Sequence, residues 1–111
     1  MSGFVKLEIY VPVTHVDAVR TAVGEAGAGR LGNYDCCIWE TSGAGQFRPL
    51  AGSSPFVGRT GEIERVPESK LEMICGRECL PGVLAAMRRA HPYETPAFQY
   101  FEVEIELPRG S

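Results

Sequence analysis

Apolar and polar residues alternate strictly at the start of the chain, with Val5, Leu7, Ile9, Val11 and Val13 set against Lys6, Glu8 and Tyr10. A period of two with one polar face predicts a strand buried on one side. Thr14 follows, with Asp17 three residues on, a variant of the capping box that opens helices. Val16, Val19, Val23 and Ala26 then recur at helical spacing, and Gly27 and Gly29 mark the stop. Leu31 to Glu40, which carries Tyr34, Cys36, Ile38 and Trp39, reads as a second strand. Thr41 to Gly61 holds five glycines and two prolines, with Phe47 and Phe56 among them, and reads as one long loop. Loops beyond roughly 12–15 residues are usually functional or disordered. A third strand is expected over Glu62–Val66 and Lys70–Cys75, interrupted or preceded by a turn at Pro67. Arg77 to His91 predicts the second helix. Pro81 sits in its first turn, Leu80, Val83, Leu84 and Met87 form its stripe, and His91-Pro92 closes it. Phe101, Val103, Ile105 and Leu107 alternate with Glu102, Glu104 and Glu106 in a final strand.

The order β-α-β-β-α-β predicts an α+β fold, the ferredoxin-like split β-α-β sandwich. A four-stranded antiparallel sheet carries both helices on one face. The other face is solvated or covered by a partner, and Tyr10, Trp39 and Tyr100 are candidates to lie there. An exposed apolar sheet face would predict oligomerisation; the alternative is that these rings belong to an ordinary core. With 111 residues the chain is expected to be a single domain over 1–107, with the long loop at 41–61 and a radius of gyration of about 13 Å. Residues 108–111 read as a tail or a protease-site scar.

Composition narrows the function classes. A formal net charge of −3 provides no basic footprint for nucleic acid. Arg88-Arg89 reads as a solvated helix face. No apolar run approaches the roughly 18 residues of a membrane span. Lys6 and Glu8 break the early apolar stretch, so no signal peptide is expected. The expected location is cytoplasmic, with four reduced cysteines.

Candidate chemistry is sparse. Cys36 and Cys37 are adjacent, so on a strand they point to opposite faces. Cys75 and Cys79 lack the two-residue spacing of zinc or redox motifs, and buried small hydrophobes are the simpler reading. His15 falls in the first turn of helix one and is expected to be exposed. His91 lies in Ala90-His91-Pro92-Tyr93-Glu94-Thr95-Pro96, a segment stiffened by two prolines. There His91, Tyr93 and Glu94 could bind a divalent cation or an anion, or act as acid–base groups, while a structural helix-ending turn is the other reading. Arg48 and Arg59 could bind an anion within the long loop, or be solvated loop charge. No nucleophile elbow, paired-histidine metal helix or phosphate loop occurs, and Gly43-Ala44-Gly45 lacks the third glycine of a dinucleotide fingerprint.

Several segments resemble the YqfO-type, Nif-three-like proteins. They are Ala26-Gly27-Ala28-Gly29-Arg30-Leu31-Gly32-Asn33-Tyr34-Asp35-Cys36, then Gly43-Ala44-Gly45-Gln46-Phe47-Arg48-Pro49 with Gly52 and Pro55-Phe56-Val57-Gly58, then His91-Pro92-Tyr93-Glu94. The resemblance covers nearly all of 4–107 and is to the domain inserted within longer members of that family. It implies a free-standing version of the insert, without the flanking halves that carry the family's two metals. The insert is similar in fold to CutA and PII proteins, which are ferredoxin-like trimers. His91-Pro92-Tyr93 with Thr95-Pro96 resembles the CutA segment His-Pro-Tyr-x-x-Pro-Glu, whose histidine is associated with copper or other divalent cations. Ala97 stands where that pattern has Glu, so Glu94 is the remaining carboxylate. The long loop sits where PII proteins carry a partner-binding loop, but its sequence is unlike theirs.

The reading is therefore a non-enzymatic, trimeric CutA/PII-like module, binding a divalent metal or small ligand at subunit boundaries. Its ligand-binding or interface candidates are His91, Tyr93, Glu94, Asn33, Phe47, Arg48 and Phe56, with His91 and Glu94 as metal candidates. No certain cofactor, no nucleic acid and no membrane are expected. The alternatives are an interaction subunit docking on a separate hydrolase-like partner, and a small metal-dependent enzyme using His91 and Glu94.

Overall fold

Val5, Leu7, Ile9 and Val11 are fully buried, while Lys6, Glu8 and Tyr10 between them lie on the other face of strand β1 (Phe4–Pro12). The period of two thus becomes a half-buried strand, each buried branched side chain supplying about 1.5–3 kcal/mol. This computed structural model describes residues 3–107, so the expected tail at 108–111 lies outside the described residues. Helix α1 (Val16–Glu25), β2 (Trp39–Phe47), β3 (Glu64–Gly76), α2 (Leu80–Ala90) and β4 (Phe98–Glu102) complete the order. The four strands form one antiparallel sheet in the order β2-β3-β1-β4, the ferredoxin-like arrangement. Both helices lie on one face. Val16, Val19, Val23, Leu80, Val83 and Met87 pack there on the apolar residues of β1 and on Leu71, Met73 and Cys75 of β3.

The helix boundaries have local causes. The expected capping box does not form: His15 is the N-cap residue of α1, and the Thr14 hydroxyl bonds to its Nδ1 at 2.8 Å instead of a helix N–H. Gly27, at φ +113°, turns the chain out of α1. Pro81 opens α2, where its missing N–H costs nothing. At the other end Arg88 and Arg89 face the negative end of the helix dipole, and the Arg88 guanidinium lies 5.2 Å from the centre of the Phe98 ring.

The second and last strands are not where the sequence pattern puts them. Leu31–Glu40 is mostly a return loop. Leu31 and Tyr34 bridge each other, the Cys37 N–H bonds to Gly29 O, and Gly29 N–H bonds to Ile74 O. Those local bonds take up the backbone that a ladder would need. The glycine-rich stretch expected to be loop instead pairs over its whole length with β3, from Trp39 opposite Glu72 to Phe47 opposite Glu64. β3 runs straight through Pro67 rather than turning there. The Pro67 carbonyl accepts the Val13 N–H, so its nitrogen faces the side where β1 has ended and no ladder donor is required. β4 pairs only from Phe98 to Glu102, because its partner β1 begins at Phe4.

The β2–β3 hairpin therefore projects beyond the last β1 pair, Pro12 opposite Glu68. The molecule measures 54 × 25 × 20 Å with a radius of gyration of 15.4 Å, longer than the expected sphere-like value. On the open sheet face Lys6 pairs with Glu72 at 2.8 Å, and Glu8 and Lys70 complete a network of four charges. Tyr10 and Trp39 are on this face as expected. Tyr100 is not, since it pairs with Leu7 on the helix side, and Phe101 takes the open-face position opposite Lys6.

Candidate functional site

At the projecting end of the sheet, three segments enclose a cleft of about 710 Å³. β2 contributes Gly45 and Phe47, the loop after it contributes Leu50, Ser53, Pro55 and Phe56, and the turn after α2 contributes Tyr93 and Glu94. Tyr10 and Glu68 line it from β1 and β3. Its volume is typical of small-molecule sites.

The turn after α2 is built on His91. The backbone of His91 leaves the helix in an extended conformation, as the residue before a proline should. Its ring is buried, 6% exposed, with a partner on each nitrogen. Nε2 lies 2.7 Å from the Tyr10 carbonyl oxygen, and Nδ1 lies 3.2 Å from the Tyr93 backbone nitrogen. A carbonyl only accepts and a backbone N–H only donates. The pair therefore defines the neutral imidazole with its proton on Nε2. Burial holds the ring's pKa below 6.5, outweighing the raising effects of the Tyr10 carbonyl and the Glu68 charge. The bond to Tyr10 also docks the turn on β1, where Tyr10 N–H in turn bonds to the Ala97 oxygen.

Tyr93 stands at the centre of the cleft. Its ring lies 5.8 Å from Phe47, 6.3 Å from Phe56 and 5.1 Å from His91, centre to centre. Its phenol donates to Glu68 Oε2 at 3.1 Å. Burial and the Glu68 charge push that phenol up to about 12. Glu94 reaches across the cleft, where both its oxygens lie 3.1 Å from the Ser54 backbone nitrogen and tie down the loop. Phe56 closes the same strap by meeting the His15 ring edge-on at 5.3 Å. His15 is half-buried by this contact rather than exposed.

Of the residues singled out from sequence, His91, Tyr93, Glu94, Phe47, Arg48 and Phe56 are brought together here, His91 as the support behind the wall. Asn33 is not. It is exposed in the turn that Gly29 ties to Ile74, about 20 Å along β3 from Glu68 at strand rise. His91 and Glu94 do not form a ligand pair. The Nδ1 lone pair of His91 is engaged by Tyr93 N–H, its Nε2 carries the proton given to Tyr10, and Glu94 is spent on Ser54. A divalent cation thus finds no free imidazole donor in this turn, and the residues present do not fit one. Among the described residues no group of three or more His, Cys, Asp or Glu is placed to hold a metal ion. Cys75 is buried as expected, whereas Cys36 is exposed and adopts a left-handed backbone, φ 54°. Among the described residues no helix is long and apolar enough to cross a membrane.

Glu68 and Gly45 are among the members that sequence reasoning missed, and Tyr10 was expected on the open sheet face but not in this site. Glu68 occupies an ordinary polar position of an alternating strand, and nothing in its spacing marks it.

No protein-family model matches the chain. Among curated proteins, a GTP cyclohydrolase 1 type 2 homolog of Mycobacterium leprae is 52% identical over 96 residues, 86% of this chain and 25% of that protein. The Mycobacterium tuberculosis protein of the same name is 48% identical over 106 residues, 96% of this chain and 28% of its own length. The chain thus spans about a quarter of the length of the curated relatives it matches. Among solved structures, a Bacillus cereus protein related to NIF3 superposes with a TM-score of 0.79 at 38% identity, over 92% of this chain and 26% of that one. CutA from Xylella fastidiosa superposes with a TM-score of 0.67 at 18% identity, over 96% of this chain and 89% of that one. Bacillus subtilis GlnK gives 0.60 at 14%, over 92% and 86%. At such identities the last two establish the shared fold alone.

Proposed function

For a chain homologous to one domain-sized segment of the YqfO-type, Nif-three-like proteins and built on the CutA/PII-like fold, we propose a non-enzymatic binding module. It acts as a homotrimer and holds a small ligand in the cleft beside Tyr93. The observation that carries this reading is the cleft itself. Four aromatic rings from four separate segments (Tyr10, Phe47, Phe56 and Tyr93) converge on a space of about 710 Å³. The rigid turn behind it is fixed by His91 rather than left free for chemistry. A histidine with both nitrogens bonded to backbone is a strut, not a general base, which favours binding over catalysis.

The oligomeric part is supported by what one chain leaves uncovered. Trp39, Leu50, Phe56, Ile63 and Phe101 are between 47% and 69% exposed, and several border the open sheet face or the cleft. A subunit boundary near the cleft would cover them. Docking on a different protein would do so too, and an assembly measurement separates the two.

The test uses N-phenyl-1-naphthylamine, a neutral aromatic dye, with native mass spectrometry of the same sample before and after chelation. The expected result is saturable dye fluorescence at one site per chain, weakened in Phe47→Ala and Phe56→Ala, on a trimer whose mass chelation leaves unchanged. Non-saturating fluorescence indifferent to both substitutions would refute the binding site, and a monomer would refute the trimer.

A further inference from the structure

We propose that the cleft takes an organic cation, an alkyl- or quaternary ammonium group seated against the Glu68 carboxylate and the rings of Tyr93 and Phe47. The inference rests on the binding reading above and narrows it to a ligand class.

Charge is the first observation. Glu68 and Glu94 line the cleft against Arg48 alone, which leaves one negative charge in excess. The three are not equivalent. Arg48 is exposed at the end of β2, and Glu94 has both oxygens on the Ser54 N–H. Glu68 is half-buried, and among the described residues no Lys or Arg pairs with it. Lys70, two residues along the same strand, is instead engaged with Glu8 and Glu72. Glu68 is thus a carboxylate facing an apolar cleft with, among the described residues, a phenol as its hydrogen-bond partner, and a cation would complete it.

Placement of that carboxylate is the second observation. A Cβ at Gly45 would overlap the Glu68 carboxyl group, so the carboxylate lies against the β2 backbone where only glycine leaves room. The Tyr93 phenol holds it there from the other side. The third observation is the wall. Aromatic rings carry a negative face, and several rings around one space are a recurrent way to hold an ammonium group without stripping it of electrostatic compensation. An anion entering here would meet the Glu68 carboxylate and ring faces of the same sign, with the exposed Arg48 as its one opposite charge among the lining residues. A metal ion would meet one carboxylate and no free imidazole.

The test is a set of matched probes on the intact chain, followed by NMR of the aromatic side chains. Choline, its neutral isostere 3,3-dimethylbutan-1-ol and the anion 3,3-dimethylbutanoate share one branched head and differ in charge. The expected result is that choline binds at least tenfold more tightly than the alcohol, shifts the Tyr93 and Phe47 signals, and leaves the anion unbound. Glu68→Gln should bring choline within about twofold of the alcohol. Gly45→Ala, which displaces the carboxylate without removing it, should do the same if Glu68→Gln fails to fold. Equal binding of choline and alcohol, tighter binding of the anion, or an unchanged preference in the Glu68 variant would overturn the proposal. Saturable N-phenyl-1-naphthylamine binding without a choline preference would remove the cation and keep the binding module. Loss of both would remove both.

Discussion

His91 provides the sharpest test of how this site is held. Its imidazole joins the Tyr10 carbonyl on β1 to the Tyr93 amide in the turn, and it is 6% exposed. His91→Ala removes both hydrogen bonds, leaves the Tyr10 carbonyl and the Tyr93 N–H unpaired and opens a void at the end of α2. A buried group left unpaired costs about 1–3 kcal/mol, so the two amount to about 2–6 kcal/mol, with the void adding to the loss. Urea unfolding followed by circular dichroism reads that loss directly, and a change below about 0.5 kcal/mol would refute the strut. The same geometry dictates pH dependence. Because burial holds the folded pKa below 6.5, the unfolded chain takes up a proton first as pH falls. The stability contribution is therefore complete above pH 6.5 and declines as pH drops from there towards the folded value. Protonation also puts a second N–H against Tyr93 N–H, so the turn should loosen over the same range. Nitrogen NMR should show a neutral ring protonated at Nε2; a ring protonated at Nδ1, or one titrating above 6.5, is the result this reasoning does not survive.

Other positions give independent checks. Gly29→Ala should destabilise the fold by about 2–4 kcal/mol, because a Cβ there sits 2.7 Å from both Cys37 N and O on a backbone at φ +81°; a thermal melt within a degree or two of the parent would contradict it. Glu94→Gln should speed hydrogen exchange at the Ser54 amide severalfold with global stability within about 0.5 kcal/mol, since the contact is exposed. Unchanged exchange would mean that the carboxylate does not tie the loop. Glu68→Gln should lower the Tyr93 phenol from about 12 without bringing it to 10, because burial is the larger cause and the Glu68 charge the second. Carbon NMR of the phenol carbon measures this, and no movement would separate Tyr93 from Glu68.

The parts of the fold legible in the sequence were those where side-chain pattern and hydrogen bonding agree. β1 and both helices carry their apolar residues at the period of the structure they form, and they build the core. β2 was not legible because its pairing owes little to its own residues. Trp-Glu-Thr-Ser-Gly-Ala-Gly-Gln-Phe is nearly all exposed and has no buried face to produce alternation. It is a strand because the 13-residue β3 lies beside it and pairs with it from end to end, a case of context overriding propensity. The reverse holds at 103–107, where alternation is strong but β1 begins at Phe4, which takes the Val103 N–H as the last bond between the two segments among the described residues. At the site, His91, Tyr93 and Glu94 stood out because two prolines fence a short polar segment. What each does depends on partners 25 to 81 residues away, namely Glu68, Ser54 and Tyr10, and no local spacing encodes those contacts.

The displaced strand and the cleft are one structural fact. Were β2 to lie at Leu31–Glu40, the hairpin would end near Trp39, and Phe47 would fall in an unsupported loop. Because β2 instead starts at Trp39 and pairs through Phe47, the hairpin outruns β1 by the pairs beyond Gly43 and Glu68. That overhang sets Phe47 beside Tyr93 and lets the loop after it fold back, so that Phe56 reaches His15 and Ser54 reaches Glu94. Gly43 and Gly45, which weaken the strand as a strand, suit it to this place: Gly45 leaves the room that the Glu68 carboxylate occupies. Residues chosen for ladder strength there, such as valine or isoleucine, would make a more stable hairpin and fill the space against which Glu68 and Tyr93 meet. A Gly45→Val variant should therefore separate the two demands. Valine's strand preference, on a scale spanning about 1 kcal/mol, pulls towards a firmer β2–β3 pairing, while its side chain forces Glu68 out of the cleft. If the overhang exists to build the cleft, amide protection in β2 should hold or rise while dye and choline binding fall together. Intact binding in that variant would mean that Glu68 and its glycine do not form the site.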